Sequence, residues 1–286
     1  MRRREFAGFV APSVVFMTVL LVVPLALTLY LSATAYTYGS AAPTFVGLGN
    51  YAEVLGDGVF WSSTGFTVFY TVVTTALKLV VGYALALLLA HAIRARSVFL
   101  GVLMVPMIVP PVVGALVFSW MFRDDLGLYD WLLGRVGLNV GWFSEPGPAR
   151  LMLVLEDVWH QAVFAALVLL AGLQGLPKEP LEAAQLDGAS WAQQQRYVVL
   201  PALRGLIVFV TIMSVMDGFR VFDAISVITK GGPGGATESL MIYTFDVAIG
   251  QQRLGLGSAV GVLTVLGILV MLFPFLRNTV REVRGR

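Results

Sequence analysis

Long apolar stretches alternate with short polar segments along this chain. Six stretches are each near or above the roughly 20 residues that an α-helix needs to cross a bilayer. They cover about residues 6–33, 66–90, 98–121, 151–173, 205–227 and 255–276. Pro106, Pro110 and Pro111 fall inside the third stretch, but neighbouring helices in a membrane bundle can satisfy the carbonyls that proline frees. The pattern predicts an all-α, polytopic integral membrane protein with six transmembrane helices in a single domain, residues 1–286.

Composition supports a membrane protein and excludes several other classes. Hydrophobic residues make up 58% of the chain and charged residues 13%, against about 45–50% and 25% in an ordinary soluble domain. A net charge of +2 is too small to indicate a nucleic-acid partner, and the absence of cysteine excludes disulfides and thiolate metal sites. The opening "MRRREF" is typical of a signal peptide, but the apolar stretch after it exceeds the 7–15 residues of a signal core. The first span is therefore expected to be retained.

The distribution of lysine and arginine predicts the orientation. Twelve of the 19 basic residues lie in segments that face the cytoplasm if the N-terminus is inside, and five lie in the opposite loops. Lys78 and Arg220 fall within spans and are left out of this comparison. Because basic residues favour the cytoplasmic side, we expect both termini and the loops 91–97 and 174–204 to be cytoplasmic.

The polar segment "EPLEAAQLDGASWAQQQRYVVLP", residues 179–201, interrupts the apolar pattern inside the 174–204 loop. We call it the elbow. Pro180 suits the first position of a helix, and Gly188 lies where a left-handed residue would end that helix. Ser190 and Gln193 form a capping box for a second helix, which Pro201 ends or kinks. The elbow is therefore predicted to be a helix–glycine–helix unit.

Two interpretations of the elbow follow from its residues alone. It is either a capped connector on the membrane surface or a docking element for a cytoplasmic partner. The small side chains of Ala183 and Ala184 would allow close approach to a groove, and Glu182 would meet a basic residue there.

The elbow resembles the EAA signature of the membrane subunits of bacterial ABC importers. That signature is Glu-Ala-Ala, three residues, Gly, nine residues, a hydrophobic residue, one further residue, then Leu-Pro. Val198 occupies the hydrophobic position. The positions that the resemblance assigns to ATPase coupling are Glu182, Ala183, Ala184, Asp187, Gly188, Leu200 and Pro201.

A second segment is similar to carbohydrate importers related to the maltose transporter. Residues 217–240, "DGFRVFDAISVITKGGPGGATESL", carry Phe-Asp, then Thr-x-Gly-Gly-Pro, then Ala-Thr-Glu, as those proteins do. By composition, the "GGPGG" stretch is a flexible external turn. Its place in the family pattern implies that Gly231, Gly232 and Pro233 shape an outer vestibule.

The resemblance implies a fold, partners and a mechanism. The chain would be a type I ABC importer transmembrane domain in the bacterial plasma (inner) membrane. It would be one of two homologous permease subunits that work with a pair of cytoplasmic ATPase subunits and an extracytoplasmic solute-binding protein. The elbow would be the coupling helix, and transport would proceed by alternating access. This chain would bind no cofactor, since ATP and Mg would be held by the ATPase.

Other function classes are less well supported by the sequence. No "GK" dipeptide occurs, so the chain has no P-loop for nucleotide. An intramembrane hydrolase is disfavoured because the only histidines are His91 and His160 and there is no G-x-S-x-G elbow. A secondary transporter of a polar solute, with no ATPase partner, remains the alternative. Neighbouring genes for an ATPase, a second permease and a binding protein would exclude it.

Ionisable residues inside the spans indicate the pathway, since charge in hydrocarbon is costly and usually faces protein or water. Lys78 lies in span two. In span five, Asp217, Arg220 and Asp223 recur every three residues on one face of the predicted helix. They form either a self-neutralising structural ladder or the lining of a solute cavity.

Near the predicted outer end of span four, Asp157, Trp159 and Gln161 are further pathway candidates. Trp159 is either an interfacial anchor or a stacking surface for a sugar ring. The external loop 122–150 carries Trp131, Trp142 and Phe143 and is a candidate contact for the binding protein.

Overall fold

The computed structural model describes residues 3–40, 42–91, 96–124 and 126–284, which are predominantly helical. The first helices are α1 (Arg3–Ser32), α2 (Gly49–Gly56), α3 (Gly58–His91), α4 (Arg96–Ile108), α5 (Pro111–Met121), α6 (Leu128–Gly134) and α7 (Pro146–Gln174). The remaining helices are α8 (Glu179–Leu186), α9 (Trp191–Gln194), α10 (Leu200–Ala202), α11 (Arg204–Phe219), α12 (Asp223–Ile228), α13 (Leu240–Phe245) and α14 (Leu254–Arg284). The described residues also contain π-helical turns at Gln195–Val199 and Asp246–Gly250. A short antiparallel pair, β1 (Thr34–Ala35) and β2 (Thr44–Phe45), is the sheet structure among the described residues.

The predicted all-α membrane fold is confirmed. By length and composition, five stretches in the described part of the chain can cross a membrane, and the α4–α5 pair makes a sixth if counted as one span. The five are Val10–Ser32, Gly58–His91, Pro146–Gln174, Arg204–Ile228 and Leu254–Phe275. The number of spans in the bilayer and their orientation stay predictions, and residues 92–95 of the predicted 91–97 loop lie outside the described residues.

The third predicted span is not one continuous helix. α4 ends at Ile108, α5 begins at Pro111, and the two helices are bent by 95°. Pro110 adopts φ −57° and ψ 138°, which is outside the helical region. Two consecutive prolines remove two backbone donors, and each disfavours the helical conformation of the residue before it. Pro106, by contrast, stays inside α4.

The fifth predicted span is also interrupted. α11 ends at Phe219, and α12 begins at Asp223, so Arg220 to Phe222 lie in a break. The break exposes backbone groups that need partners, and the hydroxyl of Ser239 donates to the carbonyl of Val221 at 3.0 Å. The argument that Asp217, Arg220 and Asp223 share a face of one continuous helix was therefore wrong.

The described residues group into two compact units. The first contains residues up to 61 and 243–267. In it, the buried amide of Asn50 donates to the carbonyls of Ser32 and Thr34, both at 2.9 Å, and so satisfies the end of α1. Gly255 lies against the Thr34 carbonyl, where a Cβ would approach within 2.0 Å. The prediction of a single domain stays a prediction.

The second unit contains residues 62–242 and those from 268 onward. Its main core joins side chains of α3, α5, α7 and α12, including Tyr70, Phe118, Leu153 and Ile225. A smaller apolar cluster joins the C-terminal half of α3 to α7. The two clusters hold the helices that carry the candidate site.

Candidate functional site

A polar cavity of about 230 Å³ lies within the second unit, among helices that are otherwise strongly apolar. Its lining comes from α3, α5, α7 and the segment that spans α11, the break and α12. The lining residues are Tyr70, Pro111, Glu156, Asp157, His160, Gln161, Asp217, Arg220, Val221, Phe222, Asp223 and Ala224. Five of the predicted pathway residues thus meet at one place: Asp157, Gln161, Asp217, Arg220 and Asp223.

Lys78 reaches this site through an ion pair. Its Nζ atom lies 2.9 Å from Oδ2 of Asp157, and the two side chains are 2% and 11% exposed. α3 and α7 are therefore joined by opposite charges beside the cavity. Because an isolated charge is strongly disfavoured in such surroundings, each member of the pair makes the other tolerable.

The charged residues around the helix break are arranged differently from the predicted ladder. Asp217 lies on the last turn of α11, Arg220 in the break and Asp223 at the start of α12. In the described part of the chain, the side chains of Asp217 and Arg220 form no ion pair within 4.0 Å. The structure thus brings the three residues to one cavity without closing them into a chain of salt bridges.

Trp159 does not line the cavity. Its ring packs against Phe118, with 5.2 Å between ring centroids, and lies beside the position where Gly114 has no side chain. Trp159 remains 36% exposed. These contacts explain its placement by helix packing, and its role as an anchor or a stacking surface stays a prediction.

Sequence reasoning missed Glu156 and Tyr70, both of which line the cavity. Glu156 is buried on α7 next to Asp157. An acid in an apolar span was itself a sufficient sign, since such residues seldom face lipid. Tyr70 belongs to a row of buried polar side chains along one side of α3: Ser63, Thr67, Tyr70, Thr71, Thr74, Thr75 and Lys78.

This polar row on α3 follows the helical repeat, with members three or four residues apart. Thr67 accepts a hydrogen bond from the backbone N–H of Leu240 at 2.9 Å. Thr71 packs against Gly218 of α11 so closely that a Cβ at Gly218 would lie 2.6 Å from the Thr71 hydroxyl. The row therefore combines a hydrogen bond to Leu240 with close packing against α11.

The elbow forms a helix–glycine–helix unit, as predicted. α8 ends at Leu186, and Gly188 adopts φ +76°, a left-handed conformation that glycine tolerates best. The hydroxyl of Ser190 accepts from the Gln193 backbone at 3.4 Å, and the Gln193 side chain accepts from the Ser190 backbone at 2.7 Å. Pro180 occupies the second position of α8 rather than the predicted first, because the helix begins at Glu179.

The predicted coupling residues differ in exposure. Glu182, Ala183, Asp187, Gly188 and Pro201 are exposed, whereas Ala184 and Leu200 are partly buried. Pro201 does not end its helix directly, because it lies inside the short α10. α10 ends at Ala202, Leu203 follows with φ −85° and ψ 0°, and α11 starts at Arg204.

The predicted flexible turn at Gly231, Gly232 and Pro233 is tied down by hydrogen bonds. The Thr237 hydroxyl donates to the Gly232 carbonyl at 2.5 Å and lies 2.8 Å from the Thr229 hydroxyl. Nε of Arg150 donates to the Ala236 carbonyl at 3.0 Å. The composition therefore indicated a turn correctly, but not its fixed conformation.

Comparison with known proteins gives concordant matches. Residues 78–283 match the family described as binding-protein-dependent transport system inner membrane component. The trehalose/maltose transport system permease protein of Thermococcus litoralis is 34% identical over 270 residues, which cover 94% of this chain and 91% of that protein. The sulfoquinovosyl glycerol transport system permease protein of Agrobacterium fabrum is 32% identical over 254 residues, covering 88% and 82%.

Solved structures show the same fold. A chain from the crystal structure of a bacterial alginate ABC transporter, in complex with an alginate pentasaccharide-bound periplasmic protein, superposes with a TM-score of 0.83. The superposition covers 96% of this chain and 93% of the other, at 17% sequence identity.

Proposed function

The chain belongs to the family of binding-protein-dependent transport system inner membrane components, and on that premise we propose that it forms half of the translocation pathway of an ATP-driven importer for a sugar or sugar-like solute. It is a permease component and not an enzyme. Its setting would be the bacterial plasma (inner) membrane, which it would cross several times. A second homologous permease would supply the other half of the pathway.

The polar cavity of the second unit is the observation that carries this proposal. Carboxylates, an amide and a guanidinium converge there from spans that are otherwise apolar. Hydroxyl-rich solutes donate and accept hydrogen bonds, and Gln161 and Tyr70 can do both. The named solutes of the two relatives, trehalose/maltose and sulfoquinovosyl glycerol, both carry sugar groups.

The lining of the cavity combines acidic and basic side chains. Its acidic residues are Glu156, Asp157, Asp217 and Asp223, and its basic residues are His160 and Arg220. Lys78 neutralises one of these carboxylates by pairing with Asp157. Together these groups can donate hydrogen bonds to a hydroxyl-rich solute and accept hydrogen bonds from it.

Energy coupling is proposed to occur through the elbow. Its exposed face, with Glu182, Ala183 and Gly188, would dock into a cleft of a cytoplasmic ATPase subunit. ATP binding would close the ATPase dimer and open the cavity outward to accept solute from an extracytoplasmic binding protein. Hydrolysis would return it inward. ATP and Mg would bind the ATPase, and this chain would hold no cofactor.

Reconstitution tests the proposal. The chain, its partner permease and the ATPase are placed in proteoliposomes, and uptake of radiolabelled trehalose and maltose is measured. We expect uptake only with ATP on the ATPase side and the binding protein on the other side. Uptake driven by an ion gradient without the ATPase would instead support a secondary transporter. A sugar-binding assay on the purified binding protein identifies the solute, since that protein would carry most of the selectivity.

A further inference from the structure

A hydrogen bond joins the C-terminal half of α3 to the elbow. The hydroxyl of Tyr83 donates to Oε1 of Gln195, with 2.5 Å between the two oxygens. The two residues are 112 positions apart in sequence. Side-chain hydrogen bonds over such a separation are a small share of those in a folded protein, because most side-chain bonds go to the backbone or to water.

The setting of Tyr83 fixes the direction of its hydroxyl. Its ring packs against the apolar cluster formed by Ala86, Leu89, Leu169 and Leu170, and the side chain is partly buried. A packed aromatic ring has few alternative rotamers. The ring therefore makes apolar contacts, and its hydroxyl points toward the elbow.

Gln195 opens the π-helical turn Gln195–Val199 that continues α9. π-helical turns are rare and occur frequently at functional sites. The helix before it is fixed internally by the capping box at Ser190 and by the Gln194 amide, which donates to the Ala189 carbonyl at 2.8 Å. The position of Gln195 therefore follows that of the second half of the elbow.

On the other side, Tyr83 belongs to the same unbroken helix as Lys78. The two residues are five positions apart, or about 7.5 Å along the axis at 1.5 Å per residue. Gly82, next to Tyr83, meets α7 so closely that a Cβ there would lie 2.6 Å from the Cβ of Ala165. α3 is thus held against α7 at this crossing and again at the Lys78–Asp157 pair beside the cavity.

We propose that Tyr83 and Gln195 are positioning residues that connect movement of the elbow to the cavity. The bond makes the elbow and α3 move together, and α3 carries that displacement to the Lys78–Asp157 pair. This inference rests on the proposed function, because it requires an elbow that moves with an ATPase. Neither residue touches the solute or the nucleotide.

The test uses the absence of cysteine from this chain. A reporter cysteine replaces Val221, which lines the cavity, and the chain is assembled with its partner permease and ATPase. The rate of modification by a membrane-impermeant thiol reagent is measured with and without trapping of the ATPase by ATP and vanadate. Tyr83→Phe and Gln195→Met, which remove one hydrogen-bonding group each, are compared with Tyr30→Phe, the same change on the exposed face of α1.

In the Val221→Cys reporter alone, we expect trapping to change the modification rate, and absence of that change would contradict the proposed function itself. We expect Tyr83→Phe to reduce the change about three- to tenfold, the range that loss of one hydrogen bond produces. Gln195→Met should have the same effect, the double variant should be no worse than either, and Tyr30→Phe should be normal. The inference would be overturned if trapping changed the modification rate in Tyr83→Phe as much as in the reporter alone. It would also be overturned if the effects of the two substitutions added in the double variant, or if both variants lost the ATPase.

Discussion

Nζ of Lys78 on α3 lies 2.9 Å from Oδ2 of Asp157 on α7, and both side chains are almost fully buried. Removing two charges from water is expensive, and their mutual attraction in a low-dielectric interior compensates only while both are present. α3 and α7 can therefore pack together at this point only if both charges are present.

Removing one member of this pair should be more harmful than removing both. Lys78→Met leaves Asp157 as an uncompensated buried charge, so we expect a loss of about 3–5 kcal/mol in folding stability. Adding Asp157→Asn should recover most of that loss, even though transport remains impaired. The stabilities of the single and double variants are measured by thermal unfolding of the detergent-purified complex, followed by fluorescence-detected size exclusion. A double variant less stable than Lys78→Met would contradict this account.

The second ion pair should contribute far less. Arg253 donates to both carboxylate oxygens of Glu53, at 2.6 and 2.8 Å, but the side chains are 41% and 49% exposed. We expect Arg253→Gln to cost about 0.2–1 kcal/mol, as is usual for exposed pairs. If Arg253→Gln lost as much folding stability as Lys78→Met in the same unfolding assay, exposure would not determine how much these ion pairs contribute to stability.

The pH dependence of the exposed pair has a definite sign. The hydrogen bond from Arg253 holds the pKa of Glu53 below its ordinary value of 4.5. A carboxyl whose pKa is lowered on folding stabilises the folded state above the ordinary value, and the contribution is lost as pH falls through the lowered pKa. The difference in melting temperature between wild type and Arg253→Gln should thus be full at pH 7 and shrink below pH 4.5. A difference that grows on acidification would contradict this assignment.

The sequence predicted the fold class and the elbow well because those features depend on local chemistry. Apolar stretches predict spans wherever lipid is the solvent, and Gly188 and Ser190 specify a turn and a cap through their own backbone preferences. These properties belong to a few consecutive residues. They do not depend on contacts with distant parts of the chain.

The break between α11 and α12 and the full lining of the cavity were beyond the same reasoning. The break is stabilised by Ser239, whose hydroxyl donates to the carbonyl of Val221, 18 residues earlier in the chain. No local sequence pattern predicts such a distant partner. The pairing of Lys78 with Asp157 likewise depends on how two distant helices cross. Glu156, by contrast, was recognisable as an intramembrane acid and should have been a candidate.

Asp217 is expected to serve transport rather than assembly. Its carboxylate lines the cavity, and in the described residues it forms no ion pair whose loss would loosen the bundle. Asp217→Asn keeps the shape of the side chain and removes its charge, so we expect impaired uptake by an intact complex. Uptake into proteoliposomes and co-purification of the ATPase are measured on the same preparation. Normal uptake, or a defect confined to assembly, would mean that the residue is structural.

The orientation predicted from basic residues can be tested by labelling. Cysteines are introduced separately at Gln185 in the elbow and Asn139 in the 122–150 loop, both of which are exposed. Gly188 is unsuitable for this purpose because its positive φ resists a side chain. An impermeant thiol reagent applied to intact cells should modify the cysteine at 139, and the one at 185 only after the membrane is opened. Modification of both from outside would refute the N-inside arrangement.

The conformation of Gly188 gives the first test of the elbow. At φ +76°, a β-branched side chain is disfavoured by about 1–2 kcal/mol, so Gly188→Val should distort the junction between α8 and α9. We expect ATP hydrolysis that no longer responds to the loaded binding protein. Gly188→Asn is the matched control, because asparagine tolerates the left-handed region and should retain most of the response. Equal behaviour of the two variants would mean that the backbone conformation is unimportant.

Substitutions at Ala183 and Ala184 distinguish docking of the elbow from packing within this chain. Ala183 is exposed, so Ala183→Trp leaves α8 intact and adds bulk only where a partner would sit. Ala184 is partly buried within this chain, so a tryptophan there would also disturb the elbow itself.

If the elbow enters an ATPase cleft, Ala183→Trp should release the ATPase while the chain still inserts and assembles with the second permease, and Ala183→Ser should be tolerated. A connector that merely lies on the membrane surface predicts no such loss, because tryptophan is favourable at the lipid interface. Co-purification of the ATPase with Ala183→Trp at the wild-type ratio, together with normal uptake, would leave the docking model without support.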